Sequence, residues 1–155
     1  MSGTVEARLK SLGLELPVPA APIANYVPYT VCGALAVISG QITFRDGKLH
    51  HIGKLGAGIS IEEGQEAAKL CALNILAQVK AAAGGDLDRV RRCLRLGGFV
   101  NCTPDFTQQP QVVNGASDLM VAVFGAAGRH ARSAVGVGSL PGGVAVEVEA
   151  MFELG

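Results

Sequence analysis

Aromatic and charged residues are scarce in this chain of 155 residues. Tryptophan is absent, aromatic residues make up 5% of the chain, and charged residues make up 17% with a formal net charge of +0. Without an excess of positive charge, general attraction to nucleic acid or to an anionic membrane surface is disfavoured. No apolar run approaches the roughly 20 residues that a membrane-spanning helix requires, and charges interrupt the amino-terminal stretch where a secretory signal would be apolar. We therefore expect a cytoplasmic protein.

Cysteine is present, but not in a metal-binding or disulfide pattern. The four cysteines, Cys32, Cys71, Cys93 and Cys102, form no C-x-x-C pair and have no histidine at ligand spacing. We expect reduced, mostly buried thiols and no metal site. Apolar side chains are abundant, at 49% of residues, so one domain spanning residues 1–155 can bury a core without cross-links.

Hydrophobic spacing and turn residues predict the order of the helices and strands. Ser60 and Glu63 form a capping box, and Gly40 within a strand pattern indicates a bulge or a close approach to the backbone. The predicted elements are a helix over 2–14, an arm to residue 21, two strand segments within 35–44 interrupted at Ser39 and Gly40, a helix from Ser60 to Gly84, a strand over 87–101, a helix from Pro110 to Gly128, and a hairpin over 132–150.

This order predicts an α+β fold in which two long helices pack on one face of a common sheet. The other face also carries valine, isoleucine and leucine, so it needs a cover of its own. Self-association is the simplest cover. We therefore expect a homo-oligomer.

The closing hairpin brings charges into an apolar segment. Period-two alternation places Glu147 and Glu149 on one side of the last strand, and the corner at 139–143 predicts that the strand starting at Arg132 runs antiparallel beside it. Ordinary cross-strand pairing would contribute at most about 1 kcal/mol. Since burying an arginine is costly unless it is paired or binds an anion, Arg132 is interpreted instead as a clamp for a ligand carboxylate.

Several motifs resemble those of one family. They are "PIANYVPY" around Tyr26, "AVISGQI" over 36–42, "QEAAKLCALNILAQVKAAAGGDLDRV", "FVNCTPDF" over 99–106, "VVNGA" around Asn114 and "ARSAVGVGSLPGGVAVEVEA". Together these resemble the reactive intermediate deaminase family, also called RidA or YjgF-like and formerly L-PSP endoribonuclease, from Pro22 to Leu154. The one extra residue between Asn114 and Arg132 and the longer amino-terminal arm indicate a divergent subgroup.

The resemblance implies a chorismate mutase-like fold, assembled as a homotrimer whose sheets form a central barrel with clefts between subunits. It further implies hydrolysis of small 2-enamino or 2-imino acids to 2-keto acids and ammonia, without metal or organic cofactor. By resemblance, Arg132 binds the substrate carboxylate and Glu147 positions water. The remaining residues implied to line the pocket, partly from a neighbouring subunit, are Tyr26, Ser39, Gly40, Asn114 and Ala134, the last standing where active members often have cysteine.

Two alternatives remain open from the sequence. One is a trimeric module that binds a small carboxylate metabolite, or a protein partner, without turnover; Arg132 serves this role as well, whereas Glu147 has a chemical task only in a hydrolase. The other is RNA binding through "RVRRCLR" over 89–95. In a regular strand Arg89, Arg91 and Arg95 would share one face and Arg92 the other, with no aromatic residues between them for base stacking, so nucleic-acid binding is disfavoured.

Overall fold

The computed structural model describes residues 3–19 and 21–155, and three α-helices lie within them. Helix α1 spans Thr4–Ser11, α2 spans Ile61–Ala82 and α3 spans Gln109–Phe124. The predicted capping box is present at the start of α2: the Glu63 backbone N–H donates to Ser60 Oγ (3.1 Å), and the Ser60 N–H donates to Glu63 Oε2 (2.7 Å). Residue 1, residue 2 of the predicted first helix and residue 20 of the predicted arm lie outside the described residues.

Five strands form the main sheet in the order β1-β2-β9-β7-β8. Four short strands form two separate two-stranded sheets, one antiparallel and one parallel. The main-sheet strands are β1 (Tyr29–Cys32), β2 (Leu35–Gln41), β7 (Val90–Asn101), β8 (Ala131–Val137) and β9 (Val146–Leu154); the short ones are β3 (Phe44–Arg45), β4 (Lys48–Leu49), β5 (Lys54–Leu55) and β6 (Gly58–Ile59).

The core lies between α2, α3 and one face of the main sheet. Alternate residues of β9 are buried against the helices, from Val146 to Leu154, and the ring of Phe152 among them meets that of Phe124 edge-on at 6.2 Å between centroids. The opposite face, which we call the open face, carries Glu147 and Glu149 together with apolar side chains such as Val135, which is 46% exposed. The predicted α+β architecture is confirmed, while the central barrel and the homotrimer stay predictions.

The predicted hairpin over 132–150 is wrong. Strand β7 lies between β8 and β9, parallel to β8 and antiparallel to β9, so Arg132 and Glu147 are not on neighbouring strands. The connection over 138–145 crosses the end of β7 instead of turning tightly. Its backbone is held there by Asn101, which donates to Val144 O (3.1 Å), and by Lys54, which donates to Asn101 Oδ1 (2.6 Å) and to Gly138 O.

The expected distribution of arginines along 89–95 is also wrong. Residues 87–89 form a short 3-10 turn, and two register shifts then interrupt the pairing of β7 with β9, one between Val90 and Arg92 and one between Cys93 and Arg95. These bulges bring Arg92 and Arg95 to the same, open face. There they pair with Glu153 (3.9 Å) and Glu149 (3.2 Å), respectively.

Candidate functional site

A β-bulge in β2 brings the backbone close to a carboxylate. Between Ile38 and Gln41 the strand contains one residue more than β9 opposite, so Gly40 turns towards the open face. A Cβ atom at Gly40 would overlap the Glu147 carboxylate. The predicted close approach at Gly40 is therefore confirmed, and the group that approaches is the side chain predicted to position water.

The two carboxylates of β9 have different surroundings. Glu149 accepts a hydrogen bond from Arg95 at 3.2 Å, whereas Glu147 has no hydrogen-bond donor or cation as a partner among residues 3–19 and 21–155. Partial burial raises the pKa of Glu147, and the negative charge of Glu149 raises it further. Glu147 is thus a half-buried carboxylate with a pKa above the ordinary value of a glutamic acid.

Arg132 lies on the helix-bearing side of β8 and is held by α3. Its Nη1 donates to Asn114 Oδ1 (2.8 Å) and to Ser117 Oγ (3.1 Å), and its Nη2 donates to the Pro110 carbonyl (3.4 Å). A guanidinium carries five N–H donors. The contacts leave the Nε–H and one Nη2–H without an acceptor in the described part of the chain, and a carboxylate can accept both.

The other predicted site residues divide between these two places. Ser39 Oγ donates to Val27 O (2.7 Å), and the Ser39 N–H donates to Pro28 O (2.9 Å), which ties the Tyr26 segment to the bulge. Asn114 and the half-buried Ala134 accompany Arg132. We call Tyr26, Ser39, Gly40 and Glu147 the Glu147 half-site, and Asn114, Ser117, Arg132 and Ala134 the Arg132 half-site.

The two half-sites do not meet within one copy of the chain. Arg132 and Ala150 both lie opposite Leu96. Glu147 lies three residues before Ala150 in β9, on the other face of the sheet. Strand spacing and rise place their Cα atoms roughly 14 Å apart. A site that uses both side chains therefore needs two copies of the chain.

One contact between two side chains of the Arg132 region had no signal in the sequence. Ser117 lies one helical turn from Asn114 and joins Arg132 to His130, whose Nε2 is 2.9 Å from Ser117 Oγ. A serine and a histidine at this separation match no motif. Their proximity follows only from the packing of α3 against β8.

A group of three acidic side chains, Glu6, Asp86 and Asp88, lies away from both half-sites. Asp88 accepts hydrogen bonds from the Thr4 and Val5 N–H groups, which lower its pKa. Glu6 accepts one from Leu87 N and lies 3.5 Å from Lys80. These contacts attach α1 to the domain.

The four cysteines are free thiols, and Cys71, Cys93 and Cys102 are buried. Burial raises the pKa of Cys71 and raises that of Cys93 to about 12. Both are therefore unreactive at neutral pH. Among the described residues, no helix has the length and apolar composition needed to span a bilayer.

Residues 6–149 match the sequence family described as "YjgF/chorismate mutase-like, putative endoribonuclease". The chain belongs to the YjgF family. This confirms the resemblance inferred from the motifs and agrees with the α+β fold. Membership in the YjgF family is consistent with imine deamination or small-molecule binding, and it does not by itself assign a reaction.

Individual YjgF family relatives align over nearly the whole chain. Protein TCP17 of Trypanosoma cruzi is 52% identical over 154 residues, which cover 99% of this chain and 96% of that protein. Atu1372, a protein of unknown function from Agrobacterium tumefaciens, has a crystal structure with a TM-score of 0.92 at 49% identity, covering 97% of this chain and 92% of that one. A crystal structure named as a putative endoribonuclease from Shewanella oneidensis has a TM-score of 0.93 at 40% identity, covering 97% and 99%.

Proposed function

We propose that the protein hydrolyses small 2-imino and 2-enamino acids to 2-keto acids and ammonia in a cleft between two copies of a homotrimer. The observation that carries this proposal is the separation of the half-sites: a held guanidinium and an unpaired carboxylate lie on opposite faces of one sheet. A neighbouring copy that covers the open face would bring its own Arg132 half-site to Glu147. The same contact would bury the exposed apolar residues of that face.

Arg132 would bind the substrate carboxylate. Its Nε–H and remaining Nη2–H supply two donors on a planar group, which suits the two oxygens of a carboxylate. Asn114, Ser117 and the Pro110 carbonyl already restrain the guanidinium. Little conformational freedom would then be lost on binding, and C2 of the substrate would be held at a fixed position.

Glu147 would act as the base and then as the acid. Attack of a water oxygen on C2 forms the new C–O bond while the C=N π electrons move to nitrogen, and Glu147 accepts the proton that the water loses. The carboxyl group then returns this proton to nitrogen. As the C–N bond breaks, the departing NH2 group takes the hydroxyl proton and leaves as ammonia while the C=O bond forms. A 2-enamino acid enters this sequence once its N–H proton has moved to C3, which gives the 2-imino acid. The raised pKa of Glu147 favours both transfers near neutral pH.

RNA cleavage, which the family description names, has weaker support in this chain. On the open face, Arg92 and Arg95 are paired with Glu153 and Glu149. Paired charges give little counter-ion release on binding a polyanion. Among the residues that the structure describes, neither half-site offers aromatic side chains on both sides of a base, since only Tyr26 belongs to one of them.

The test of this proposal generates 2-imino acids in situ with an amino-acid oxidase and follows their decay with and without the protein. We expect faster decay at catalytic protein concentrations and release of one equivalent of ammonia. Light scattering coupled to size exclusion should give the mass of a trimer of 15.9 kDa subunits.

Two results would reject parts of the proposal separately. If the protein does not change the rate of imine decay but binds 2-keto acids, it is a binding module for small carboxylates without turnover. A monomer that still hydrolyses imines rejects the composite cleft, because one copy cannot bring its own half-sites together.

A further inference from the structure

A cavity of about 570 Å³ lies beside the Glu147 half-site and is lined by the amino-terminal arm and the end of β2. Arm residues 17–19 and 21–23 line it, as do Ile42 and Phe44. Asn74 and Gln78 of α2, which are 9% and 1% exposed, line it as well. Its volume is in the range of pockets that take small organic molecules.

The cavity and the Glu147 half-site share Tyr26 and Gly40. The Gly40 backbone therefore borders the cavity and also approaches the Glu147 carboxylate. A molecule with its reacting carbon next to Glu147 would reach this space by extending its remaining atoms past Gly40.

The lining residues determine which chemical groups of a ligand the cavity can bind. It is mostly apolar, and the charged side chains among its described residues are Arg45 and Asp46, which lie 3.8 Å apart. Asp46 is largely in solvent, at 89% side-chain exposure. An acidic or basic group of a ligand would lose its hydration in the cavity and would find no free opposite charge among these residues to compensate.

We infer that this cavity receives the side chain of the imino acid and selects branched or aromatic apolar side chains over small or charged ones. The inference rests on the proposed function, since it names the substrate class of that same site. It also gives the amino-terminal arm a role, because residues of the arm line the cavity.

The test compares kcat/KM for imino acids made in situ from leucine and from alanine. We expect at least a tenfold preference for the leucine-derived compound, as for apolar pockets that distinguish several carbon atoms. Ala21→Phe fills the cavity from the exposed arm and Phe44→Ala removes part of its apolar lining, so each should reduce the preference to about threefold or less. Ala81→Phe, at an exposed position of α2 outside the cavity, is the matched control and should keep the wild-type preference.

Equal kcat/KM for the two compounds, or an unchanged preference in both cavity variants, would overturn the inference. If no imine is hydrolysed, the same variants are compared for binding of 4-methyl-2-oxopentanoate and pyruvate. A preference for the larger keto acid that both cavity variants lose would support the cavity and reject the reaction. Equal binding would overturn the inference.

A separate observation concerns the hydrogen bonds behind Arg132. His130 Nδ1 is 2.6 Å from the Gly128 carbonyl, which only accepts, so Nδ1 carries a proton. In the neutral ring Nε2 then accepts, and the Ser117 hydroxyl is its donor at 2.9 Å. With its hydrogen committed to His130, Ser117 Oγ presents a lone pair to Arg132 Nη1.

The geometry points to His130 as a positioning residue that orients Arg132 through Ser117. The matched variants are His130→Gln and His130→Asn. Glutamine can place an acceptor near the position of Nε2, whereas asparagine keeps a donor near Nδ1 but does not reach Ser117.

We expect His130→Asn and Ser117→Ala each to raise KM about tenfold with kcat within about twofold, because Arg132 contributes equally to substrate and transition-state binding. His130→Gln should stay within about twofold of wild type. The double variant should be no worse than either single one, since both changes break the same chain of hydrogen bonds.

Equal effects of His130→Gln and His130→Asn, or additive effects in the double variant, would reject this role. If no turnover is found, the dissociation constant of pyruvate replaces KM with the same expectations, so the outcome does not depend on the reaction.

Discussion

Replacing Arg132 by alanine is expected to lower kcat/KM for imino-acid hydrolysis by about 10² to 10³-fold, because a carboxylate in a partly desolvated cleft would lose its only bidentate partner. Arg132→Lys keeps the charge but not the planar group that Asn114, Ser117 and the Pro110 carbonyl restrain. We therefore expect an intermediate loss of about tenfold for lysine. Initial rates of imine decay over a range of substrate concentrations measure both effects.

Arg129 provides the control for net charge. It lies three residues before Arg132, is exposed, and makes no side-chain hydrogen bond or ion pair within the described residues. Arg129→Ala should keep kcat/KM within about twofold of wild type. Equal losses of kcat/KM in Arg129→Ala and Arg132→Ala would mean that both arginines act only through the overall charge of the protein. The role of Arg132 as a carboxylate clamp would then be rejected.

The parts of the fold with strong local signals could be predicted. The capping box at Ser60 and Glu63 forms as its side chains require, and the alternation along 144–154 separates buried valines from Glu147 and Glu149. Gly40 at a bulge follows from the need for a residue without a side chain beside a carboxylate. In each case a few neighbouring residues determine the conformation.

The hairpin failed because strand pairing is a long-range property. The Pro-Gly-Gly corner at 141–143 predicts a turn, and a turn does form there, but it does not determine which strand lies next to β9. In the structure β7 takes that place, and Asn101 and Lys54 hold the connection over its end. Neither side chain is near the corner in sequence.

The candidate site was predicted as a set of residues but not as an arrangement. Cross-strand pairing of Arg132 with a carboxylate of the last strand, the alternative to a ligand clamp, does not occur, and Arg95, on the intervening strand, pairs with Glu149. The bulges in β7 that place Arg95 on the open face have no clear signature in "RVRRCLR". As a result, the split of the site into two half-sites appears only in three dimensions.

Replacing Glu147 by glutamine should lower kcat by about 10² to 10⁴-fold, the range typical of losing a general base, while KM and the affinity for a 2-keto acid change little. Glutamine has nearly the same shape but cannot take a proton from water. Since the base must be ionised, the wild-type kcat should rise with pH through the raised pKa of Glu147. The acid limb of the plot of kcat against pH should therefore lie above the ordinary pKa of a glutamic acid. Rates measured across pH 4 to 8 test this.

Glu149→Gln is the matched control for Glu147→Gln. It removes a negative charge that raises the pKa of Glu147, so activity should persist and the acid limb should move to lower pH. The Arg95 pair that it breaks is partly exposed to solvent, and screening by that solvent limits its contribution to about 1 kcal/mol. A wild-type rate in Glu147→Gln would exclude this carboxylate as the base, and an unmoved acid limb in Glu149→Gln would assign that limb to another group.

The stability of Glu147→Gln should change in the opposite direction to its activity. Because the folded-state pKa of Glu147 is raised, the folded protein keeps a proton that the unfolded chain has released, and the free energy of unfolding falls as pH rises from the ordinary value through the raised one. Above that pH range the wild type carries the full free-energy cost of an ionised, partly buried Glu147, whereas the glutamine variant has no such cost. At neutral pH its Tm should therefore exceed that of the wild type, and at pH 4 the two should agree. An equal Tm at neutral pH would mean that a cation of the assembled protein compensates the charge of Glu147, and the raised pKa proposed for the base would then be wrong.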